Sequence, residues 1–84
     1  MNVWPVINMK ATGRRIVELR EAAGMSVKDI QSIFGFSTPQ AIYKWQRGTA
    51  LPTVENLIVL GMMFGVRMEE ILVVDGVGDG QVSA

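Results

Sequence analysis

Three glycines, Gly24, Gly35 and Gly48, divide the first half of the chain into short segments. In the segment before the first of them, Ile16 and Leu19 are three positions apart, a spacing that places apolar side chains on one side of a helix. Glycine ends a helix readily because it adopts the left-handed conformation of a C-terminal cap. The pattern therefore predicts short helices that end at these glycines and are joined by tight turns.

The second and third helices also have start signals. Ser26 and Asp29 predict the start of the second helix, because the serine oxygen can accept from a free backbone N–H and the acid lies at the positive helix end. We expect the buried side of this helix to be formed by Ile30, Ile33 and Phe34. Proline suits the first helical position and restricts the residue before it, so Thr38 is the expected cap of the third helix and Pro39 its first residue.

Two further helices are predicted in the second half of the chain. Thr53 is the expected cap of the fourth, and a shorter fifth helix follows. The apolar residues assigned to these two helices are Leu57, Leu60, Phe64, Ile71 and Leu72.

The two ends of the chain lack helical periodicity. Residues 1–8 contain a proline and are expected to form an extended arm, whereas residues 75–84 contain several glycines and are expected to form a flexible tail. Residues 9–74 lie between them and contain the five predicted helices. The expected fold class is therefore all-α.

Cysteine and histidine are both absent from the 84 residues. Their absence removes disulfides, thiol nucleophiles, imidazole bases and nearly every transition-metal site. No apolar run approaches the roughly 18 to 20 residues needed to cross a bilayer, and the N-terminus lacks a secretory signal. We therefore expect a cytoplasmic protein with no membrane association, catalytic residues, metal, cofactor or small-molecule substrate.

The net charge is zero, but the charges are distributed unevenly. Residues 1–50 contain seven basic and three acidic side chains, whereas residues 51–84 contain one basic and five acidic side chains. A basic surface can therefore coexist with a neutral total, and the N-terminal half remains a candidate for binding nucleic acid.

The stretch from residue 35 to residue 48, GFSTPQAIYKWQRG, contains two basic side chains and no acid. Ile42 and Trp45, three positions apart, predict the buried side of the third helix. The side chains left facing outward are Thr38, Gln40, Tyr43, Lys44 and Arg47, beside the small Ala41. Such a helix fits the roughly 12 Å major groove of B-form DNA, where glutamine can pair with adenine and lysine with guanine.

The order and spacing of residues over about sixty positions carry a family resemblance. The residues concerned are Ile16, Leu19, Arg20, Gly24, Met25, Ser26, Ile30, Gly35, Phe36, Ser37, Ile42, Trp45, Arg47, Gly48, Leu51, Pro52, Leu57, Leu60, Val66 and Ile71. Residues 13–74 thereby resemble the helix-turn-helix domain of the Cro and lambda-repressor class, the XRE family. The resemblance implies a five-helix lambda-repressor-like domain, with the helix-turn-helix at about 26–47, and sequence-selective DNA binding in transcription regulation.

Within this resemblance, two sets of residues are expected to contact double-stranded DNA. The expected base contacts are Thr38, Gln40, Ala41, Tyr43 and Lys44, and the expected phosphate contacts are Lys28, Gln31, Arg47 and Thr49. Tyr43 has two further interpretations, since it could stack on sugar and phosphate or lie over the neighbouring helix.

Three features depart from the family pattern. The interval from Gly35 to Ile42 is one residue longer than the usual turn. Gln31 stands where alanine is common, and is expected either to hydrogen-bond across to the third helix or to reach a phosphate. Gln46 replaces a glutamate that pairs with the arginine corresponding to Arg20 in many relatives, so this arginine is expected either to bond the neutral amide or to meet the DNA backbone.

Apolar residues surround more of the predicted fourth helix than one small core can bury. They either fill gaps in the core or form a surface for self-association. The residues available for such a surface are Trp4, Val59, Met62, Met63, Val73 and Val74. A homodimer on DNA is favoured, which would place two recognition helices about 34 Å apart. The alternative is a protein-interaction module, such as an antitoxin or adaptor, that uses the fourth helix or the arm.

Overall fold

The computed structural model describes residues 4–76, which form five helices and two short strands. The elements in chain order are β1 (Val6–Ile7), α1 (Met9–Ala22), α2 (Val27–Phe34), α3 (Gln40–Arg47), α4 (Val54–Phe64), α5 (Met68–Ile71) and β2 (Val74–Asp75). The mostly helical fold class is confirmed. None of the helices within residues 4–76 is long and apolar enough to cross a bilayer.

The predicted caps of α2 are confirmed. The backbone N–H of Asp29 donates to Ser26 Oγ at 3.0 Å, and the backbone N–H of Ser26 donates to Asp29 Oδ2 at 2.8 Å. The hydrogen bonds from the backbone and side chain of Ser26 lower the pKa of the Asp29 carboxyl. This pair of reciprocal hydrogen bonds at the start of α2 is therefore strongest when Asp29 is ionised. Gly35 ends the helix in the left-handed conformation with φ of 72°.

The predicted start of α3 is wrong by one residue. Pro39 is the cap and Gln40 is the first helical residue. Pro39 has ψ of 8°, outside the range of helical geometry, and its carbonyl accepts the first helical hydrogen bond, from Tyr43 N at 3.1 Å. Thr38 still assists the start of the helix, because its hydroxyl oxygen accepts from Gln40 N at 3.4 Å.

One core connects all five helices. Its buried members are Ile16, Ile30, Ile42, Trp45, Leu57, Leu60 and Ile71. Phe34 packs against this core, but the predicted burial of Ile33 is wrong, since this side chain is 54% exposed. The helix α2 has eight residues and meets the core along a narrow stripe, so its last turn cannot bury two neighbouring apolar positions equally.

Helices α1 and α3 approach so closely that their contact requires glycine. A Cβ atom at Gly13 would overlap the backbone carbonyl oxygens of Trp45 and Gln46. At the end of α3, Gly48 has φ of 77°, and a Cβ there would lie 2.8 Å from the Cα of Lys10. The backbone of α1 therefore supports α3 from behind.

The strands β1 and β2 form an antiparallel pair that was not predicted; we call it the terminal sheet. Val6 pairs with Asp75 and Ile7 pairs with Val74. The predicted extended arm thus includes a strand, and Asp75, which was assigned to the tail, lies in its partner strand. The remainder of the predicted flexible tail, residues 77–84, lies outside the described residues, as do residues 1–3.

Hydrogen bonds attach the terminal sheet to the start of α1. Asn8 caps α1 by accepting from Ala11 N at 2.9 Å, and its Nδ2 donates to Asp75 Oδ2 at 2.7 Å. The backbone N–H of Asn8 donates to Val73 O at 2.8 Å, and Val73 N donates to the buried hydroxyl of Thr12 at 2.9 Å. The residues before α1 and after α5 are thereby held together.

Candidate nucleic-acid interface

Three aromatic side chains, which we call the aromatic cluster, fix α3 relative to α2. Phe34 at the end of α2 stacks on Phe36 in the turn, with ring centroids 5.0 Å apart. Trp45 from α3 meets these two rings edge-on, with centroid distances of 5.7 and 6.0 Å. Aromatic pairs in such arrangements contribute about 0.5 to 1.5 kcal/mol beyond their area burial. The cluster therefore makes the turn and α3 one rigid unit.

Gln31 stabilises the turn between α2 and α3. Its Nε2 donates to the backbone carbonyl of Phe36 at 3.2 Å, and the side chain is half-buried. Gln31 was expected either to bond to α3 or to reach a phosphate. The observed hydrogen bond is to the turn and not to α3. An amide nitrogen has two N–H donors. One of them is used by Phe36, and a second remains for another acceptor.

Arg20 bonds the neutral amide, which was one of the two expected outcomes. Its Nε donates to Gln46 Oε1 at 3.1 Å, and its Nη1 donates to the carbonyl of Met25 at 2.9 Å. These bonds connect α1, the loop before α2, and the last turn of α3. The guanidinium therefore holds the last turn of α3 in place relative to α1.

The two sides of α3 differ sharply in burial. Ile42 is fully buried and Trp45 is 4% exposed, which confirms the predicted buried side. The four residues on the other side are all exposed, namely Gln40, Tyr43, Lys44 and Arg47. Since neighbouring turns of a helix place residues three and four apart on the same side, these four side chains form one continuous strip. We call this strip the outer face of α3.

An open groove of about 370 Å³ runs along one border of the outer face. Its lining residues are Phe36, Ser37, Thr38, Gln40, Ala41, Lys44, Trp45 and Ala50. Four of the five residues predicted to contact bases lie together here; Tyr43 is the exception and is exposed outside the groove lining. Its apolar lining comes from Phe36, Trp45 and two alanines, and its polar lining from the turn and the outer face.

Ser37 was not predicted as a site residue, although it is exposed and lines this groove. The extra residue between Gly35 and Ile42 was the available signal, because a longer turn brings one more side chain to the N-terminal end of α3. Nothing in the spacing indicated which turn residue would face the groove.

The residues predicted to contact phosphate lie on α2 and at the end of α3. Lys28 is exposed at the second position of α2, and Arg47 is exposed at the last position of α3. Thr49 is exposed after α3, but its hydroxyl donates to the carbonyl of Lys44 at 3.2 Å. Gln31 is half-buried beneath the turn, as described above. Lys28 and Gln31, three positions apart, share one side of α2, whereas Arg47 and Thr49 lie at the end of α3.

Charge also separates between parts of the fold. Helices α2 and α3 carry three basic side chains and one acid, Asp29, whereas α4, α5 and β2 carry four acids. These acids are Glu55, Glu69, Glu70 and Asp75. Arg67, just before α5, lies 3.9 Å from Glu69 on the exposed surface. The outer face thus belongs to the basic side of the molecule.

Comparison with known proteins identifies the family. A family model described as helix-turn-helix, of the Cro/C1 type, matches residues 16–71, which is more than half of the chain. The chain belongs to the Cro/C1-type helix-turn-helix family. The family match runs from the middle of α1 to the end of α5 and thus excludes the terminal sheet.

A solved structure gives an independent view of this helix-turn-helix fold. The DNA-binding domain of BldD is similar to this chain with a TM-score of 0.64 and 24% sequence identity. The superposition covers 77% of this chain and 93% of the BldD domain. At this level of identity the likeness shows the shared fold alone. A comparison with curated proteins found no match.

Proposed function

We propose that this helix-turn-helix protein is a sequence-specific DNA-binding transcription regulator that inserts α3 into the major groove. The observation that carries the proposal is the contrast across α3, where Ile42 and Trp45 are buried while the opposite side is exposed, polar and basic. A helix anchored in this way presents its outer face without losing its orientation. Membership of the family and the DNA-binding domain named for BldD support the same function.

Base recognition is assigned to the residues around the groove. Gln40 can form a bidentate pair with adenine, and Lys44 can bond the acceptors of guanine. Thr38 has a hydroxyl hydrogen free to donate to a base or phosphate, because its bond to Gln40 N uses only the oxygen. Ala41 is small enough to admit the methyl group of thymine. Tyr43, on the opposite border of the outer face, would contact the adjoining base or sugar.

Phosphate contacts are assigned to Lys28 and Arg47 first, because both side chains are exposed and positively charged. Gln31 can contribute its second amide N–H while the first remains bonded to Phe36. The hydroxyl of Thr49 can donate to a phosphate only if it gives up its present hydrogen bond to the carbonyl of Lys44. Phosphate contacts of this kind position the protein on DNA and make its affinity depend on salt.

We further propose that two copies bind adjacent half-sites on DNA. One eight-residue recognition helix can read only a few base pairs, and a homodimer would double the length of sequence that is read. The expected target is therefore a near-palindrome with half-sites one helical turn, about 34 Å, apart.

The experiment that tests this function is selection of bound fragments from random duplex DNA at two salt concentrations. We expect a palindromic motif to be enriched at both concentrations, with affinity for all fragments falling as salt rises. Triple substitution of Gln40, Tyr43 and Lys44 by alanine should remove the enrichment while the protein still folds. Recovery of random sequence from the unsubstituted protein at both salt concentrations would contradict the proposal.

A second candidate function is supported by α4. Val54, Ile58 and Met62 are four positions apart, and all three are exposed, Met62 by 78%. An exposed apolar strip of this kind is typical of a helix that binds a partner protein. If the chain acts as an adaptor, Met62→Lys should abolish capture of the partner without changing DNA affinity. The matched change Ile33→Lys, at an exposed apolar residue of α2, should leave partner capture intact.

A further inference from the structure

The turn between α2 and α3 is held by hydrogen bonds at Phe36. The backbone N–H of Phe36 donates to the carbonyl of Gln31 at 3.1 Å, a bond typical of helix C-terminal caps. The carbonyl of Phe36 accepts from Nε2 of the same Gln31 at 3.2 Å. One residue of α2 thus bonds both backbone groups of Phe36, the first through its backbone and the second through its side chain.

These two hydrogen bonds fix the direction in which the chain leaves α2. The N–H and the C=O of one residue belong to two different peptide planes, and only the φ and ψ angles between those planes rotate freely. Holding both groups therefore fixes both angles of Phe36. Because the carbonyl of Phe36 and the N–H of Ser37 share one rigid plane, the side chain of Gln31 also sets where Ser37 begins.

The aromatic cluster holds the ring of Phe36 but not its carbonyl. The ring stacks on Phe34 with centroids 5.0 Å apart and meets Trp45 at 6.0 Å. Rotation about the ψ angle of Phe36 turns its carbonyl and the residues after it while the ring stays in place. Within residues 4–76, the amide of Gln31 is the only hydrogen-bond donor to this carbonyl. The side chain of Gln31 therefore opposes a rotation that the cluster permits.

The start of α3 has little other support. Pro39 has no N–H, and its side chain cannot cap the helix. The bond from Gln40 N to the hydroxyl oxygen of Thr38 is long, at 3.4 Å. In the part of the chain that the structure describes, the backbone N–H groups of Ser37 and Thr38 have no hydrogen-bond partner. The path from Phe36 to the first residue of α3 thus depends on the direction in which it starts.

The rest of α3 is anchored independently of the turn. Ile42 and Trp45 are buried in the core, and the end of the helix touches the backbone of α1. A small rotation at the turn therefore displaces Gln40, the first helical residue, more than Lys44, which lies one helical turn further along.

We propose that Gln31 is a positioning residue for base recognition, and that its amide, acting through Phe36, sets the place of Gln40 in the major groove. This deepens the proposed function, because it rests on base reading by the outer face of α3. A bidentate pair between glutamine and adenine needs two well-aligned hydrogen bonds at once, and hydrogen bonds weaken steeply when their angles are poor. Such a contact is sensitive to the direction of the turn.

This role differs from the phosphate contact assigned to the same side chain. A phosphate contact carries no sequence information, so its loss weakens binding to every duplex alike. A loss of stability also acts on every duplex alike, because a smaller folded fraction raises each apparent dissociation constant by the same factor. Misplacement of Gln40 instead lowers the preference for the base pair that it reads. The pattern of affinities across duplexes therefore separates the positioning role from the other two.

The test uses two substitutions that remove the amide N–H groups of Gln31. Gln31→Met keeps the length of the side chain, and Gln31→Glu keeps its shape and polarity, but neither can donate to the carbonyl of Phe36 at neutral pH. The matched control is Ser32→Ala, at the next position of α2, which is exposed. Affinity of the full chain is measured at one salt concentration for the selected duplex and its single-base-pair variants. Circular dichroism establishes that each variant is folded.

We expect both substitutions to act at the base pair where Gln40→Ala lowers discrimination. The loss there should be at least about threefold, since a bidentate contact contributes about 5- to 150-fold. At the base pair where Lys44→Ala lowers discrimination, the change should stay below about twofold, the scatter expected of independent sites. Gln31→Glu should in addition weaken every duplex, because its carboxylate repels phosphate. Ser32→Ala should leave discrimination unchanged at both base pairs.

A double substitution tests whether Gln31 acts through Gln40. In a Gln40→Ala background, Gln31→Met should cause no further loss at the base pair assigned to Gln40, because the contact that it positions is already gone.

Three results would overturn the proposal. The first is retention of discrimination at both base pairs by Gln31→Met, whether or not all duplexes are weakened alike. The second is a loss by Gln31→Met that persists in full in the Gln40→Ala background. The third is base preference in the unsubstituted protein that Gln40→Ala leaves intact at every position. Failure of the proposed function is distinguishable from all three, since the unsubstituted protein would then show no base preference.

Discussion

The two tryptophans of this chain occupy opposite environments. Trp45 is 4% exposed at the centre of the aromatic cluster, and Trp4 is 75% exposed beside the terminal sheet. The cluster joins residues that are close in sequence, from Phe34 to Trp45, whereas the terminal sheet joins residues separated by nearly the whole described chain. The comparison shows that the turn is held by packing and the sheet by hydrogen bonds to the helical body.

The two regions differ in what holds them in place. A recognition helix must keep its orientation while it contacts DNA, and a packed cluster resists displacement because its rings cannot move independently. A short sheet attached by hydrogen bonds opens more readily, since few buried apolar contacts must be broken. The molecule thus combines a rigid unit of turn and α3, held by the aromatic cluster, with a terminal sheet that is less firmly held.

The largest expected effect is the difference in stability between two variants, each with one tryptophan replaced by alanine. Trp45→Ala removes a buried aromatic side chain and should lower the free energy of unfolding by about 3 to 5 kcal/mol. Trp4→Ala should change it by less than about 0.5 kcal/mol, because the side chain is mostly in water. Urea denaturation followed by circular dichroism measures both. Equal decreases in the free energy of unfolding for the two variants would contradict the different roles assigned to the two tryptophans.

A change at Thr12 should loosen the sheet without disturbing the turn. Thr12→Val keeps the shape of the side chain but leaves Val73 N–H without its acceptor, at a cost of about 1 to 3 kcal/mol. Amide hydrogen exchange should quicken at Asn8 and Val73 and stay unchanged at Phe36 and Trp45. Thr12→Ser, which retains the hydroxyl, is the control. Faster exchange in the turn would show that the two regions are coupled.

The bond between α1 and α3 can be strengthened. Gln46→Glu should turn the hydrogen bond with Arg20 into an ion pair and raise the free energy of unfolding by about 0.5 to 1 kcal/mol. High salt should reduce the gain. In an Arg20→Ala background the same change should bring no gain. If the gain persists there, Gln46→Glu stabilises α3 by a route other than this arginine.

The smallest effect is expected at the start of α2 and depends on pH. The folded pKa of Asp29 is lowered, so its contribution to stability is present above the unfolded pKa and is lost as pH falls through the folded value. Asp29→Asn should therefore be less stable than the unsubstituted protein near neutral pH, with the difference vanishing in acid. Thermal denaturation at neutral and acid pH checks this. If the stability difference between the two proteins grew as the pH fell, the pKa of Asp29 would be raised by folding and not lowered.

Local signals in the sequence predicted much of the helix-turn-helix. Ser26 with Asp29, and the glycines at 35 and 48, act through backbone atoms a few residues away, so their effects could be inferred without knowing the fold. The buried pair of Ile42 and Trp45 followed from periodicity alone. The structure confirmed the predicted buried side of α3, and with it the side that faces outward.

The terminal sheet depends on distant parts of the chain, and two further features depend on the geometry of the turn before α3. Strands of two residues have no periodic pattern, and their pairing requires Asn8 to meet Val73 and Asp75, far away in sequence. The start of α3 shifted by one residue because Pro39 adopts ψ of 8° in a turn whose length is unusual. Whether Gln31 would face the turn or α3 depended on this same geometry. The assigned DNA contacts stay predictions.

The most direct test of base reading by the outer face of α3 compares two single substitutions on the same DNA. Affinity is measured for the selected duplex and for duplexes with one base pair changed, using the unsubstituted protein, Gln40→Ala and Lys28→Ala. We predict that Gln40→Ala loses about 1 to 3 kcal/mol of discrimination at one position, while Lys28→Ala weakens every duplex alike and lowers the salt slope by about 1. Equal effects of the two substitutions on all duplexes would contradict the account.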